Sequence, residues 1–243
     1  MPRSTLFALP TLAALLLSPA TGVGQAHYTA PDHGTFTLVL QDHVSDDGLV
    51  DYSAIGKDTR FQRYIAMLER FTPLPEWSRE ERMAWWINAY NALTIRLVSD
   101  DLPVERITDL EEPFKREVVR VRGEAWSLDR IEKEALMKGF GDPRVHFALV
   151  CASRSCPALP REAFTADRLN EQLEGAGHRF LADPVRNRIA SDRLELSMIF
   201  DWYRRDFTDG ETLQQFVARH TDVDVRPDAE VLFLDYDWRL NGR

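Results

Sequence analysis

The chain has 243 residues, of which 44% are hydrophobic, and its 30 Lys and Arg against 39 Asp and Glu give a formal net charge of −9 at neutral pH. An acidic chain of this kind is not expected to bind nucleic acid or an anionic membrane surface. Its length and hydrophobic content suffice to bury one good core, which favours a single globular domain.

The N-terminal residues have the pattern of a secretory signal peptide. Arg3 is followed by an apolar run that is too short to span a bilayer, and small residues come next. We expect cleavage after Ala20 or Ala26 and take 1–26 as the signal peptide, so the mature protein would be periplasmic or secreted. Residues 27–243 would form the single globular domain, with no later stretch apolar enough for a membrane anchor.

The strongest predicted helix begins at Ser78, which forms a capping box with Glu81, and continues to about residue 98. Apolar residues cover most of its circumference, so we expect this helix at the centre of the fold. Asn88 and Asn91 lie at or inside the apolar arc and need hydrogen-bond partners if they are buried. They either tie the helix to neighbouring loops or orient a catalytic group or an oxyanion.

Helix and strand signals alternate after this helix. Alternation of apolar and polar residues on either side of Arg122-Gly123 predicts a β-hairpin. A helix is expected from Asp129, with Asp129 and Glu132 as its start signal, to Lys138, and the apolar run 145–150 is predicted to be an interior strand. The later predictions are a helix from Thr165 to Ala182, a hairpin over 188–196, an aromatic helix over 197–206, a helix over 212–220 and a strand over 231–238.

This mixture of elements predicts an α+β fold. We expect a single domain with a central apolar helix, several further helices, and short β-hairpins that form a small, mainly antiparallel sheet.

The only two cysteines, Cys151 and Cys156, lie five residues apart in the loop after the predicted strand. In an exported protein a disulfide is the default state of such a pair, and it would contribute roughly 2 kcal/mol in the chain-entropy model. A redox pair is a second interpretation, although the spacing differs from Cys-x-x-Cys.

A third interpretation makes Cys151 a nucleophile that attacks a carbonyl. His146 or Glu132 would be its base, and Asn88 or Asn91 would be the orienting group. On a regular strand the side chains of His146 and Cys151 would point to opposite faces, so the strand must end or twist before they can pair. This interpretation predicts a thiol-dependent hydrolase or acyltransferase acting on peptide-like amide bonds. The alternative is a non-catalytic binding or accessory module with a structural disulfide.

We expect no cofactor and no metal ion. The weak candidates for metal ligands are His27, which cleavage after Ala26 would leave at the N-terminus, and His146 together with the two cysteines. Aromatic residues either pack in the core or line a groove for a peptide-like or small-molecule ligand. They are Trp77, Trp85, Trp86, Trp202, Tyr203 and Trp238.

A series of motifs runs along most of the mature chain. They are Asp46-Asp-Gly-Leu-Val-Asp-Tyr52, Trp86-Ile-Asn-Ala-Tyr-Asn-Ala-Leu93, Ile131-Glu132, and the runs from Asp142 to Pro157, Ser197 to Phe207 and Tyr236 to Asn241. Together they resemble the domain-of-unknown-function family 547. The resemblance implies a fold neighbourhood and candidate residues but no reaction. The family pattern usually has His after Ile-Glu, where this chain has Lys133, so a base at that position would be lost or replaced by His146.

A more distant similarity is to papain-like and transglutaminase-like cysteine enzymes. Those enzymes place their nucleophile at the start of a central helix, ahead of a strand that carries the histidine. The predicted central helix of this chain departs from that pattern because it contains no cysteine.

Overall fold

The computed structural model describes residues 29–243. The predicted signal peptide and His27 lie outside these residues. Within 29–243, no helix combines the length and the apolar character needed to cross a bilayer.

Helices are the main secondary structure of the described residues. The N-terminal half contains α1 (Gly34–His43), α2 (Tyr52–Ile55), α3 (Thr59–Arg70), α4 (Arg79–Asp100), a 3₁₀ turn (Ile107–Asp109), β1 (Val119–Val121) and β2 (Glu124–Trp126). A continuous helical stretch follows, made of α5 (Leu128–Arg130), a π-helical segment (Ile131–Met137) and α6 (Lys138–Phe140). The rest comprises a 3₁₀ helix (Pro143–Phe147), α7 (Leu169–Ala182), β3 (Arg188–Ile189), β4 (Arg193–Ser197), α8 (Ile199–Trp202), α9 (Arg204–Phe207), α10 (Leu213–Arg219) and β5 (Glu230–Leu234).

Two small sheets accompany the helices, which confirms the predicted α+β class. Strands β1 and β2 form the predicted antiparallel hairpin. Strands β3 and β4 form the second predicted hairpin, and β5 adds to β4 in parallel, giving the order β3-β4-β5. Two of the three pairings are therefore antiparallel, as expected.

Helix α4 is the central helix of the fold, as predicted. The Ser78 hydroxyl accepts from the Glu81 backbone N–H at 3.0 Å, and the Glu81 carboxylate accepts from the Ser78 N–H at 2.7 Å, which completes the capping box. Every residue from Met83 to Ile95 is buried. Because protein covers this helix on all sides, its polar side chains must find partners inside the molecule.

A second hydrophobic cluster packs between α7 and the three-stranded sheet. The ring of Phe147 lies at its centre, with centroids 5.2 to 6.2 Å from those of four other phenylalanines. Phe147 belongs to the segment that leads into the cysteine loop, residues 151–156, so this cluster supports one side of the loop. The four rings are Phe180, Phe200, Phe207 and Phe216.

The predicted strand over 145–150 is wrong, because Pro143–Phe147 is a 3₁₀ helix. Asp142 begins this helix by accepting the Arg144 backbone N–H at 3.0 Å, and proline is well suited to a first helical position. A short apolar run without alternation fits any fully buried segment, so the pattern did not distinguish a strand from this irregular one.

The helix predicted from about Asp129 is confirmed, since α5 begins one residue earlier at Leu128. Its predicted start signal is wrong, because the Ser127 hydroxyl, rather than the pair Asp129 and Glu132, caps this stretch by accepting the Arg130 backbone N–H at 3.2 Å. The predicted helix start at Thr165 is also wrong. The next long helix begins at Leu169, four residues after Thr165. The predicted aromatic helix over 197–206 is divided at Tyr203 into α8 and α9.

Candidate functional site

A cavity of about 200 Å³ lies beside the middle of α4, at Tyr90, between the cysteine loop and the C-terminal segment, residues 236–241. The residues that line it include Asp129, Glu132, His146 and both cysteines. Within the described part of the chain, no Lys or Arg lines it. Six of its lining side chains are aromatic: Tyr90, Phe114, Trp202, Tyr203, Tyr236 and Trp238.

The two cysteines form a disulfide in the wall of this cavity, with their Cα atoms 6.1 Å apart. Cys156 is only 1% exposed, whereas Cys151 is half-buried. The disulfide that the sequence favoured for an exported protein is therefore present. Neither sulfur is a thiolate in this state, so neither can act as a nucleophile until the bond is reduced.

The C-terminal segment holds the cysteine loop in place. Arg154 and Ser155 donate backbone N–H groups to the carbonyls of Arg239 and Asp237, at 2.8 and 3.3 Å. Ala152, next to the first cysteine, has φ +61°, a left-handed conformation that non-glycine residues adopt only when their surroundings enforce it. The pairing of the two segments brings the preceding residue, Tyr236, against the disulfide.

Hydroxyl groups surround both sulfur atoms. The Tyr236 hydroxyl lies 3.2 Å from Cys151 Sγ and 3.3 Å from Cys156 Sγ. The Ser153 hydroxyl lies 3.3 Å from each sulfur and 3.2 Å from the Tyr236 oxygen. The Cys151 backbone N–H also points at Cys156 Sγ, at 2.9 Å. Burial raises the pKa of Tyr236 to about 12, so its hydroxyl keeps its proton at neutral pH.

His146 lies in the same cavity wall and is bonded to a carboxylate that the sequence analysis missed. Its Nε2–H donates to Asp206 at 2.8 Å, and its ring stacks on Tyr203 with centroids 4.0 Å apart. Burial lowers the pKa of His146, and the bond to Asp206 opposes this effect. The neutral ring then has an unprotonated Nδ1, which lies 4.0 Å from the Glu132 carboxyl.

Glu132 is the buried acid of the cavity, with 7% of its surface exposed. Burial raises its pKa, and a hydrogen bond with Tyr203 opposes the rise. The second acid, Asp129, already forms an ion pair with Lys133 at 2.8 Å. Lys133 itself, at the position where the family pattern usually has histidine, is turned to solvent and does not line the cavity.

Asn88 and Asn91 both bind backbone groups of other segments. The Asn88 side chain donates to the Phe164 carbonyl at 2.8 Å and accepts from the Phe164 N–H at 2.9 Å. Asn91 donates to the Ala148 carbonyl and accepts from the Val150 N–H, both at 2.9 Å. Neither side chain lines the cavity. Asn91 nevertheless holds the segment just before Cys151 against α4, so it helps to position that residue.

The predicted candidates thus fall into two groups. Cys151, Cys156, His146 and Glu132 meet in one cavity, whereas the two asparagines lie in the core behind it. Among the described residues no hydrogen bond joins His146 to either sulfur, and no group of three or more His, Cys, Asp or Glu is placed to hold a metal ion. His27 is not among these residues.

The aromatic residues divide in the same way. Trp77, Trp85 and Trp86 are buried around α4 and are part of the core. Trp202 and Trp238 line the cavity and stack with centroids 5.7 Å apart, and Trp202 is 46% exposed. Of the predicted set, only Trp202, Tyr203 and Trp238 line the cavity.

Sequence analysis did not identify Asp206, Tyr236 or Ser153 as site residues. Asp206 and Tyr236 belong to motifs that carried the family resemblance, and that was the available signal. Their partners are 60 and more residues away in the chain, so only the tertiary fold shows what they contact.

Residues 74–181 match the family model described as "Protein of unknown function, DUF547". This part of the chain is similar to the DUF547 family. The match confirms the predicted resemblance over these residues, whereas no curated protein and no solved structure matches the chain. The matched region supplies Glu132, His146 and both cysteines to the cavity. The segment after it supplies Trp202, Tyr203, Tyr236 and Trp238, so the cavity is closed by residues from outside the matched region.

Proposed function

We propose that the protein binds a ligand that combines a cationic amine with an apolar body, and that the cavity is the binding site. The observation that supports this function is the lining, which contains six aromatic rings and two carboxyl groups but no Lys or Arg among the described residues. Aromatic faces and carboxylates both attract an ammonium group, most strongly where water is excluded. An anionic ligand would find no countercharge in this lining.

Glu132 is the group that would pair with the ammonium. Asp129 pairs with Lys133, and Asp206 is bonded to His146. Among the described residues the ion-pair partner of Glu132 is His146, 4.0 Å away, and burial lowers the pKa of that ring and so disfavours its charged form. A bound cation favours the charged form of a buried carboxyl and lowers its pKa. Ligand affinity is therefore expected to rise with pH through the raised pKa of Glu132.

Calorimetric titration with two probes of similar size and opposite charge tests the proposal. We expect 2-phenylethylamine to bind and 3-phenylpropionate not to bind. Glu132→Gln removes the charge with little change of shape and should weaken amine binding at least about tenfold, the effect of one charge-assisted hydrogen bond. Glu134→Gln is the matched control, because Glu134 is exposed and pairs with Arg130 outside the cavity. Equal affinity for both probes, or no effect of Glu132→Gln, would overturn the proposal.

A second candidate function is the thiol-dependent hydrolase or acyltransferase predicted from the sequence. It is favoured by one observation, which is that Cys151, His146 and Glu132 line the same cavity. Once the disulfide is reduced, Cys151 would attack a carbonyl, and His146, held by Asp206, would take its proton through Nδ1.

This candidate makes a distinct prediction for the reduced protein. Cys151 should react with iodoacetamide below neutral pH, where an ordinary thiol with a pKa of about 8.5 is slow. His146→Gln should remove that reactivity. Labelling that rises only through the ordinary thiol range, in wild type and variant alike, would exclude the nucleophile.

We also propose that the protein acts after export, where a disulfide is stable. The test is the N-terminal sequence of the protein isolated from its native compartment. It should begin after Ala20 or Ala26, and a chain that retains residues 1–20 would contradict export by this signal.

A further inference from the structure

We propose that the Cys151–Cys156 disulfide undergoes thiol–disulfide exchange with a small thiol bound in the cavity, with Cys151 attacked and Cys156 as the leaving group. This inference extends the ligand-binding proposal and relies on it for the choice of thiol. It follows from the difference in exposure between the two cysteines and from the Cys151 backbone N–H, which points at Cys156 Sγ; the Ser153 and Tyr236 hydroxyls lie near both sulfurs.

The two cysteines differ in exposure. Both line the cavity, but Cys151 is half-buried whereas Cys156 is 1% exposed. A thiolate in the cavity therefore reaches Cys151 more readily. The incoming sulfur bonds to Cys151 Sγ, the Cys151–Cys156 bond breaks, and Cys156 leaves with the electron pair as a thiolate.

The surroundings of Cys156 suit a thiolate. The Cys151 N–H lies 2.9 Å from Cys156 Sγ, and the Ser153 and Tyr236 hydroxyls each lie 3.3 Å from it. A sulfur in a disulfide is a weak acceptor, so these donors are poorly used in the oxidised state. After bond cleavage they can bind the negative charge, which speeds departure because a stabilised thiolate is a better leaving group.

The complete reaction balances with a second thiol. That thiol attacks the substrate sulfur of the mixed disulfide and releases Cys151 as a thiolate. Two thiols have then been oxidised to one disulfide, and the protein has been reduced to a dithiol. A low-molecular-weight disulfide restores the protein disulfide by the reverse steps.

The identity of the attacked sulfur can be tested in the wild-type protein. Oxidised protein is mixed with cysteamine, quenched with acid and digested, and the attached thiol is located by mass spectrometry. We expect it on Cys151. Attachment to Cys156 would overturn the proposed direction of attack.

The rate provides the second test. The rate of exchange between each thiol and the folded protein is measured first. It is then divided by the rate of the same thiol with an oxidised peptide of residues 150–157, which corrects for the intrinsic reactivity of the thiol. We expect the folded protein to react at least about tenfold faster than the peptide with cysteamine. A slower reaction than that of the peptide would mean a protected structural disulfide and would overturn the proposal.

Tyr236→Phe tests the role of the hydroxyl while it keeps the aromatic ring. We expect exchange about tenfold slower, the effect of losing one hydrogen bond of typical strength. Tyr64→Phe is the matched control, because the Tyr64 hydroxyl bonds to His33 and lies outside the cavity lining. An unchanged rate in folded Tyr236→Phe, checked by circular dichroism, would overturn the role of the donors.

Two thiols of opposite charge separate this inference from the binding proposal. Cysteamine should show a larger corrected rate than 3-mercaptopropionate, because the cavity favours cations. Equal acceleration of both would support exchange while it contradicts the amine preference. Amine binding without any exchange would support the binding site and overturn the exchange.

Discussion

His33 is a buried histidine whose ionisation couples folding to pH. It is 6% exposed, and its Nδ1 lies 2.7 Å from the Tyr64 hydroxyl. Burial lowers its pKa from 6.5 to about 4, and the nearby Asp32 opposes the shift. The unfolded chain therefore binds a proton near pH 6.5 while the folded chain does not, so acidification below this value favours unfolding until the lowered pKa is reached.

We predict that this residue costs the fold about 2 kcal/mol of stability between neutral pH and about pH 5. Urea unfolding of wild type and His33→Gln over this range tests the prediction, because the variant lacks the titrating group and should show a flatter dependence. His178→Gln removes an exposed histidine and serves as the control. Parallel pH profiles for wild type and His33→Gln would contradict it.

Individual site residues could be predicted where the chain makes them unusual. Cys151 and Cys156 are its only cysteines, His146 belongs to the same motif, and Glu132 belongs to a separate short motif. Tyr236 also belongs to a motif, but nothing in that motif showed that it lies against the cysteines. Its role depends on the pairing of the C-terminal segment with the cysteine loop, which is a tertiary contact between residues some 80 positions apart.

At the scale of elements, two side chains of α4, Asn88 and Asn91, make the backbone hydrogen bonds that a neighbouring strand would otherwise make. Each asparagine amide donates one hydrogen bond and accepts one, as a strand does with its partner. Asn91 bonds in this way to the Ala148 carbonyl and the Val150 N–H, in the buried segment after the 3₁₀ helix. The sequence predicted α4 and its capping box. It predicted a strand for 145–150, because no local pattern shows that the hydrogen-bond partner of this segment is a side chain on α4.

Asn91→Ala should lower the free energy of unfolding by about 2 to 4 kcal/mol, because it leaves a buried carbonyl and a buried N–H without partners. Asn170→Ala, which removes an exposed amide that accepts from Arg144, should have a much smaller effect. Urea unfolding measures both. A loss below about 1 kcal/mol for Asn91→Ala would show that the segment finds other partners.

At the scale of the whole molecule, two hydrophobic clusters meet along one segment. Val145 belongs to the cluster around α4, and Phe147, two residues on, belongs to the phenylalanine cluster. Composition predicted enough apolar residues for one domain but could not show two clusters. Because one short 3₁₀ helix contributes to both, we expect them to unfold together.

Phe147→Ala should therefore destabilise the entire fold, by about 3 to 5 kcal/mol for a buried aromatic side chain. Tryptophan fluorescence and far-ultraviolet circular dichroism should give coincident urea transitions, since most of the tryptophans pack in the first cluster and the variant affects the second. Phe71→Ala, at a position 47% exposed, should change stability little. Two separate transitions would contradict the predicted single domain.

The state of the two sulfurs in the native protein tests the account most directly, because both the cavity lining and the proposed exchange depend on it. The measurement is the intact mass of protein isolated from its native compartment and denatured in iodoacetamide, with and without prior reduction. The account predicts no label without reductant and a label on both cysteines after reduction. Labelling of both cysteines without reductant would contradict the disulfide and return Cys151 to the role of a free nucleophile.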